Sequence, residues 1–484
     1  MTRRRFSFRV LALALTFGVA ALPTPAFASG FQLFEQNGSG LGNAYAGQAA
    51  GIKDASAIHF NAAALTRTKG WSLVVSVETI GLSNKFSDTG STVPSVTFPP
   101  PTGQYSFPVP LGNEGDDAGG WIPVPNGYLS GQVTERIWLG VGMNVPFGLE
   151  TDWDPAWMGR FHATKSKVEA RTVTPTVAIQ LSDTLSIGGG ASWQDLDADF
   201  NSGVAYGGLA YAGTAQAVAA YPPALRAAAL AAVIAQLGPE GRSLEGAGLI
   251  SGESQAWGWN AGALLKLGEQ AHLGVSYRSK ITHDIEGDVT FEGAPTFALP
   301  GALAPIGDAL NSRFASGPVK TTIKLPETWS VAAAWENDKV EVLADWTWTG
   351  WSTLPTLDIV REDGSALSSV PLRFEDTWRV GLGLNYRMND AWKLRLGTAY
   401  DKTPVKDEFR TPRLPDTDRI WAAGGFEWKV SEKARVDVGY THIFIDEGIS
   451  DLDNLSATGT PVGALVGTYN SKTDILGAQL TLSF

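Results

Sequence analysis

The chain has 484 residues, no cysteine and a formal net charge of −12. The missing cysteine excludes a disulfide framework and any thiolate metal site, and the acidic balance argues against nucleic acid as a partner. With 10% aromatic residues and 17 Trp, two readings stay open: a secreted all-β enzyme with a Trp-rich carbohydrate cleft, or a membrane barrel with interfacial aromatic girdles.

Residues 1–28 read as a secretory signal peptide. Arg3, Arg4, Arg5 and Arg9 precede an apolar run from Val10 to Ala21, and Ala26-Phe27-Ala28 supplies a small-x-small cleavage site. Residues 29–69 are rich in Gly, Ala and Asn and carry no lipid-facing strand pattern. Gly38-Ser39-Gly40-Leu41-Gly42 imitates a nucleotide loop, but no strand precedes it and Asn43 stands where the third Gly belongs.

From Trp71 onward strict alternation recurs. Trp71, Leu73, Val75 and Val77 share one face, with Ser72, Ser76 and Glu78 between them. Val340, Val342, Ala344, Trp346 and Trp348 oppose Glu341, Asp345 and Thr347; Trp378, Val380, Leu382, Leu384 and Tyr386 do the same later in the chain. A period of two residues is that of a strand with one apolar face, and aromatic residues near the ends of that face fit headgroup depth. After the leader, no segment reaches the roughly 18 apolar residues of a spanning helix. Leu476, Ala478, Leu480, Leu482 and Phe484 form the face of a last strand that ends on an aromatic residue, the ending that barrel-assembly machinery reads. The fold class is therefore all-β: a transmembrane antiparallel barrel of about fourteen strands over residues 70–484, with residues 29–69 as a hatch plugging the lumen, because irregular backbone at membrane depth must be shielded from lipid. Long extracellular loops are expected at 86–117, 149–165 and 205–255, the last holding an Ala-rich stretch that suggests short amphipathic helices.

Several strings carry a resemblance. Ser29-Gly30-Phe31-Gln32-Leu33, Ser39-Gly40-Leu41-Gly42-Asn43-Ala44-Tyr45-Ala46-Gly47, Trp257-Gly258-Trp259-Asn260-Ala261-Gly262, Leu325-Pro326-Glu327-Thr328-Trp329 and Pro415-Asp416-Thr417-Asp418-Arg419-Ile420-Trp421 occur in one order along the mature chain. Together they resemble the outer-membrane long-chain fatty-acid transporter family (FadL type), including its aromatic-hydrocarbon branches. The resemblance implies a fourteen-stranded barrel, an N-terminal hatch and diffusion of hydrophobic substrates without ATP. It implies Phe31 as an apolar contact in the ligand pocket, and Asn61-Ala62-Ala63 as the hatch contact, here without the family's Pro at the middle position. It implies an inward kink of the third strand through which ligand leaves sideways. Gly140, Gly142 and Pro146 in that strand, near Arg136 to Phe147, give a physical reason for a kink, since Pro lacks a ladder donor and Gly weakens a strand. The family's outer groove between the third and fourth loops corresponds to Trp153, Trp157, Met158 and Phe161 facing Leu230, Val233, Ile234 and Leu237.

Two basic pocket positions of the family fall on Asp199 and Asp358. Arg379, Arg387 or Arg395 either replaces them at the ligand carboxylate or pairs with Glu327, Glu341, Asp345 or Asp437 inside the barrel. The expected function is passive outer-membrane transport of long-chain fatty acids by groove capture, transfer to a lumen pocket and lateral exit; the alternative is uptake of neutral aromatic hydrocarbons. A lipid hydrolase would need a nucleophile beside one of His59, His162, His272, His283 and His442, and none lies in a nucleophile motif. An open porin conflicts with the plug. No enzyme activity, cofactor or metal is expected. The expected partners are the hydrophobic substrate, outer-membrane lipids and the barrel-assembly machinery, and the expected state is a monomer.

Overall fold

The computed structural model describes residues 30–98 and 103–484; the expected signal peptide and Ser29 lie outside the described residues. Barrel strands β1 (Trp71–Asp88), β2 (Gly120–Thr134), β3 (Ile137–Asp152), β4 (Lys165–Gln180), β5 (Leu185–Val204) and β6 (Gly246–Leu267) follow one another as antiparallel neighbours. Two strands are broken: β7 into Ala271–Arg278 and Ile281–Glu292, and β8 into Gly317–Leu325 and Thr328–Glu336. β9 (Val340–Thr349), β10 (Thr377–Arg387), β11 (Trp392–Asp401), β12 (Arg419–Ser431), β13 (Ala434–Ile445) and β14 (Leu465–Ser483) complete the ring. It closes where β14 pairs with β1 from Ser72↔Ser483 to Asp88↔Gly467. The result is a closed fourteen-stranded antiparallel barrel.

The alternation read from the sequence sets the faces. In β10, Trp378, Val380, Leu382, Leu384 and Tyr386 are exposed on the outside while Thr377, Arg379 and Asn385 are buried inside. Tyr277, Trp329, Trp348 and Trp378 lie side by side across β7 to β10 through the pairs Trp329↔Tyr277, Trp329↔Trp348 and Trp348↔Trp378. A second aromatic level carries Trp392 stacked on Trp428 at 5.8 Å, next to Phe426. Trp378 and Tyr386 are eight residues apart, about 27 Å along a strand. A barrel tilt of roughly 40° shortens this to ~21 Å, close to the apolar band of an outer-membrane barrel.

Residues 30–69 lie inside this ring as short helical turns, among them Gly38–Leu41, Gln48–Gly51 and Ala57–Phe60. The wall makes room for them with glycine. A Cβ on Gly274 of β7 would stand 1.9 Å from the Ala49 carbonyl oxygen, and one on Gly397 of β11 2.1 Å from the Asn43 carbonyl carbon. No side chain fits such a contact, so the N-terminal segment touches backbone on well-separated parts of the wall.

The long loops share one end, opposite to Trp71 and Phe484, whose backbones bond to each other. Their bounds are narrower than expected. Phe86–Asp88, Leu149–Asp152 and Gly246–Gln255 are strand, because the barrel wall continues past the membrane band. The first loop holds a small hairpin, Ser95–Phe98 with Gly103–Ser106. The Ala-rich loop holds two helices, Tyr206–Ala217 and Pro223–Gln236.

Candidate functional site

Pro146 marks a break in the wall. The β3–β4 pairing slips between Asn144↔Thr172 and Phe147↔Ala170, so β3 carries one extra residue there, a bulge. On the other edge, β2 and β3 pair only from Thr134↔Ile137 to Gly127↔Met143. Beyond Met143 the two strands separate, while Gly120–Asn126 of β2 stays paired with β1. Pro123 and Pro125 lie on this freed stretch of β2.

The N-terminal segment spans the gap from inside. Leu33 N–H donates to the Pro146 carbonyl at 2.9 Å and Gly148 N–H to the Phe31 carbonyl at 3.0 Å, so Phe31–Leu33 pairs with β3 where β2 has left it. Gln36 Nε2 donates to the Val145 carbonyl at 2.7 Å, and Asn144 Nδ2 donates to Gln36 Oε1 at 2.5 Å. From β2, Asn126 Nδ2 donates to the Glu35 carbonyl at 3.0 Å and the Tyr128 hydroxyl to the Gln36 carbonyl at 2.9 Å. The β3 side of the gap thereby has its Val145, Pro146 and Gly148 backbone groups bonded. Gly140 and Gly142, expected to contribute to the kink, remain in the regular ladder. They make space for Ile58, which a Cβ on Gly140 would meet at 2.7 Å.

Phe31 sits in an aromatic cluster beneath the long-loop end. Its ring lies 4.7 Å from Trp351 and 6.1 Å from Phe147, and Trp351 packs on Phe374 at 5.8 Å. Val289, Leu357, Ile359 and Phe200 continue the same apolar cluster upward. Those four also line a half-open cavity of about 890 Å³ under the loops, with Phe161, Phe291 and the arginines Arg313, Arg361 and Arg413. This volume falls in the range of small-molecule sites, about 300–1,000 Å³.

The remaining expected residues are placed differently. Asp199 and Asp358 do not face this cavity. Their neighbours Phe200, Leu357 and Ile359 do, and alternation turns both acids outward: Asp199 lies opposite Lys167, and Asp358 is exposed and bonded to Thr356 and Ser369. Arg379 and Arg395 are not pocket residues either. Arg379 is buried against the N-terminal segment, donating to the Ala44 carbonyl, pairing with Asp345 at 3.5 Å and lying over Phe34 and Trp421. Arg395 pairs with Glu427 at 2.7 Å and Asp437 at 2.5 Å. Both satisfy the barrel interior.

Trp153 and Trp157 line no groove. They stack at 4.3 Å, fully buried among Phe86, Leu465 and Tyr469, with Met158 against them, and so fix the loop rather than present it. Phe161 turns to the opposite side, joining Val233 and Leu237 in one apolar cluster while also lining the cavity. Leu230 and Ile234 are half-buried on the same helix and stand outside the cavity. Asn61 does not reach the third strand. It donates from Nδ2 to the Ala49 and Ala263 carbonyls at 2.7 and 3.0 Å and accepts from Ala63 N–H, which ties the N-terminal segment to β6; Ala62 and Ala63 pack on Gly188 of β5. The hydrogen bonds at the break in the third strand come from Phe31, Leu33 and Gln36, with His59 also meeting Asn144 at 2.8 Å, and nothing local in the sequence marks Gln36 for that role.

A family model described as outer membrane protein transport protein (OMPP1/FadL/TodX) matches residues 19–484. The chain is 26% identical over 448 residues to the long-chain fatty acid transport protein of Escherichia coli strain K12, covering 89% of this chain and 91% of that one. It is 27% identical over 501 residues to a putative outer membrane protein of Neisseria meningitidis serogroup B, covering 100% of each. Among solved structures, a Pseudomonas aeruginosa FadL homologue superposes with TM-score 0.77 at 23% identity, over 94% of this chain and 100% of that one. The Pseudomonas putida toluene transporter TodX gives TM-score 0.60 at 14% identity, again over 94% and 100%. The match over residues 19–484 places the chain in the OMPP1/FadL/TodX family, outer-membrane β-barrels that transport hydrophobic substrates.

Proposed function

We propose that this protein carries long-chain fatty acids across the outer membrane, taking them up in the cavity under the loops and releasing them sideways into the bilayer between β2 and β3. The observation that carries this reading is the loss of β2–β3 pairing beyond Gly127↔Met143, with residues 31–36 bonded to both strands across the gap as a hatch. The apolar cluster from Phe200 down to Phe31 and Phe147 supports a continuous greasy route from the cavity to that gap. Such a route has an energetic rationale. Each CH₂ gains about 0.8 kcal/mol on leaving water, and a long chain released into the periplasm would forfeit most of that. The fatty acid transport protein of E. coli, similar over 89% of this chain, points to the same substrate class.

A second substrate reading, neutral aromatic hydrocarbons, draws on the Phe31, Phe147, Trp351 and Phe374 rings, which suit a flat guest. Deleting Pro146 tests the route for either. It removes the extra residue of the bulge and lets β3 run on in register. Uptake of radiolabelled oleate should fall severalfold with the folded barrel unchanged in amount; undiminished uptake overturns lateral exit. Toluene uptake in the same cells separates the two substrates.

A further inference from the structure

The cavity under the loops is lined by three arginines, Arg313, Arg361 and Arg413. Among the described residues, none of them has a carboxylate within ion-pair distance, whereas the interior cations Arg379, Arg395 and Arg435 are all paired. The contrast is sharpest for Arg413. Its Nη1 donates to Ser166 Oγ at 3.0 Å and the Lys165 carbonyl at 3.3 Å, and its Nη2 to the His162 carbonyl at 3.1 Å. All three acceptors are neutral. A guanidinium has five N–H donors, so these bonds leave two for another acceptor. Its charged plane rests 5.6 Å from the Phe200 ring, at the top of the apolar cluster. Burial pushes the Arg413 guanidinium down to about 10, which still leaves it charged at neutral pH.

Arg413 is half-buried, and a cation partly withdrawn from water without a counter-charge is costly, so protein interiors ordinarily pair it. Carboxylates do line the cavity, but Asp363, Glu408, Asp451 and Asp453 are all exposed to water, where their fields are screened. Arg361, half-buried and within reach of the Asp363 field, shares the neutral acceptors and the aromatic wall: it donates to the Ala315 and Arg313 carbonyls and lies 5.8 Å from the Phe291 ring, another cavity residue. Two guanidinium groups thus stand on aromatic walls, with neutral acceptors, above an apolar floor.

We infer that Arg413, assisted by Arg361, is the counter-charge for the ionised head of the guest, and that the cavity selects a carboxylate amphiphile with its tail laid over Phe200 toward Ile359 and Leu357. The assignment rests on the fatty-acid transport reading above and deepens it, from the class of guest to the side chains that hold its head. It places the head in the outer cavity, on residues of the β11–β12 and β9–β10 connections, and not on the lumen arginines Arg379 and Arg395.

Binding measurements on the purified barrel in a neutral detergent test this with three probes of equal chain length: oleate, oleyl alcohol and oleylamine. Wild type should bind oleate most tightly and the cationic amine most weakly. Arg413→Gln should weaken oleate roughly tenfold to a hundredfold, the worth of a charge-assisted hydrogen bond. Oleyl alcohol should change by less than about twofold, and Arg413→Lys should fall between wild type and Arg413→Gln for oleate. Because Arg413 also braces its loop, the wild-type ranking stands as a test that needs no variant. Equal affinity of wild type for oleate and the alcohol overturns the inference while leaving hydrophobic transport intact. Equal losses of both ligands in Arg413→Gln also overturn it, reducing Arg413 to a brace. Binding of none of the probes overturns the transport reading itself.

Discussion

Gln36 Nε2 donates to the Val145 carbonyl at 2.7 Å, joining the N-terminal segment to the place where β3 leaves its ladder. Gln36 is fully buried, and its Nε2 also donates to the Leu33 carbonyl at 3.0 Å. Gln36→Leu keeps the bulk and strands buried acceptors, at a cost of about 1–3 kcal/mol. Hydrogen exchange at Leu33 and Gln36 should quicken, while the quantity of heat-modifiable barrel stays constant. Unaltered exchange would show that the N-terminal segment is held there by other contacts.

The N-terminal segment should be displaceable from the opposite wall as well. Gly274→Ala puts a Cβ against the Ala49 carbonyl, where backbone must move. Overpacking of this kind costs about 1–3 kcal/mol. The temperature at which the folded band converts to the unfolded one in electrophoresis should drop. Gly120→Ala, where a new Cβ meets nothing within 4 Å, serves as the control and should leave it in place.

Asp199→Arg adds a cation on the outer face of β5, beside Lys167, instead of in the cavity. Oleate affinity should stay within about twofold of wild type. A large gain would mean that residue 199 reaches the ligand, contrary to its outward register.

Acid should loosen the loop that carries Trp153 and Trp157. Burial lowers His162 from its ordinary value to about 4, with the Arg413 charge adding to the effect, and its Nε2 donates to the Gly463 carbonyl at 2.8 Å. The folded state therefore favours the neutral ring. That contribution is complete above about pH 6.5, the unfolded value, and is lost progressively as pH falls from there to about 4. Tryptophan fluorescence followed from pH 7 to 4.5 should report the loosening, and His162→Gln should flatten the profile. A profile unchanged by that substitution would assign the transition to another group.

Strands were legible in the sequence because their signal is local. Alternation in Trp378–Arg387 fixes which side chains meet lipid, and the wall agrees residue by residue. The cavity was not legible, because it is built where segments far apart in sequence converge: Phe200 lies near the end of a strand, Arg361 in one connection and Arg413 in another. Parity supplied a clue that motif matching overrode. The inward positions Leu196, Ala198 and Phe200 of β5 are apolar, which leaves Asp195, Asp197 and Asp199 facing out. Pro146 did announce a break, but no local pattern says that residues more than a hundred positions earlier mend it.

Pro123 and Pro125 give the gap a property that matters beyond the single molecule. A closed barrel owes its good behaviour in a crowded membrane to having no free strand edge, and the separation of β2 from β3 puts one back. Proline is tolerated in a strand only where its missing donor would have faced away from the partner, and here β1 is the partner that both retain. The β2 edge of the gap accordingly presents fewer amide hydrogens to hydrocarbon, where each unsatisfied group costs several kcal/mol. It is also a poor template for a strand from a neighbouring barrel. A gap in the ladder can thus face lipid without becoming a seam along which two copies zip together.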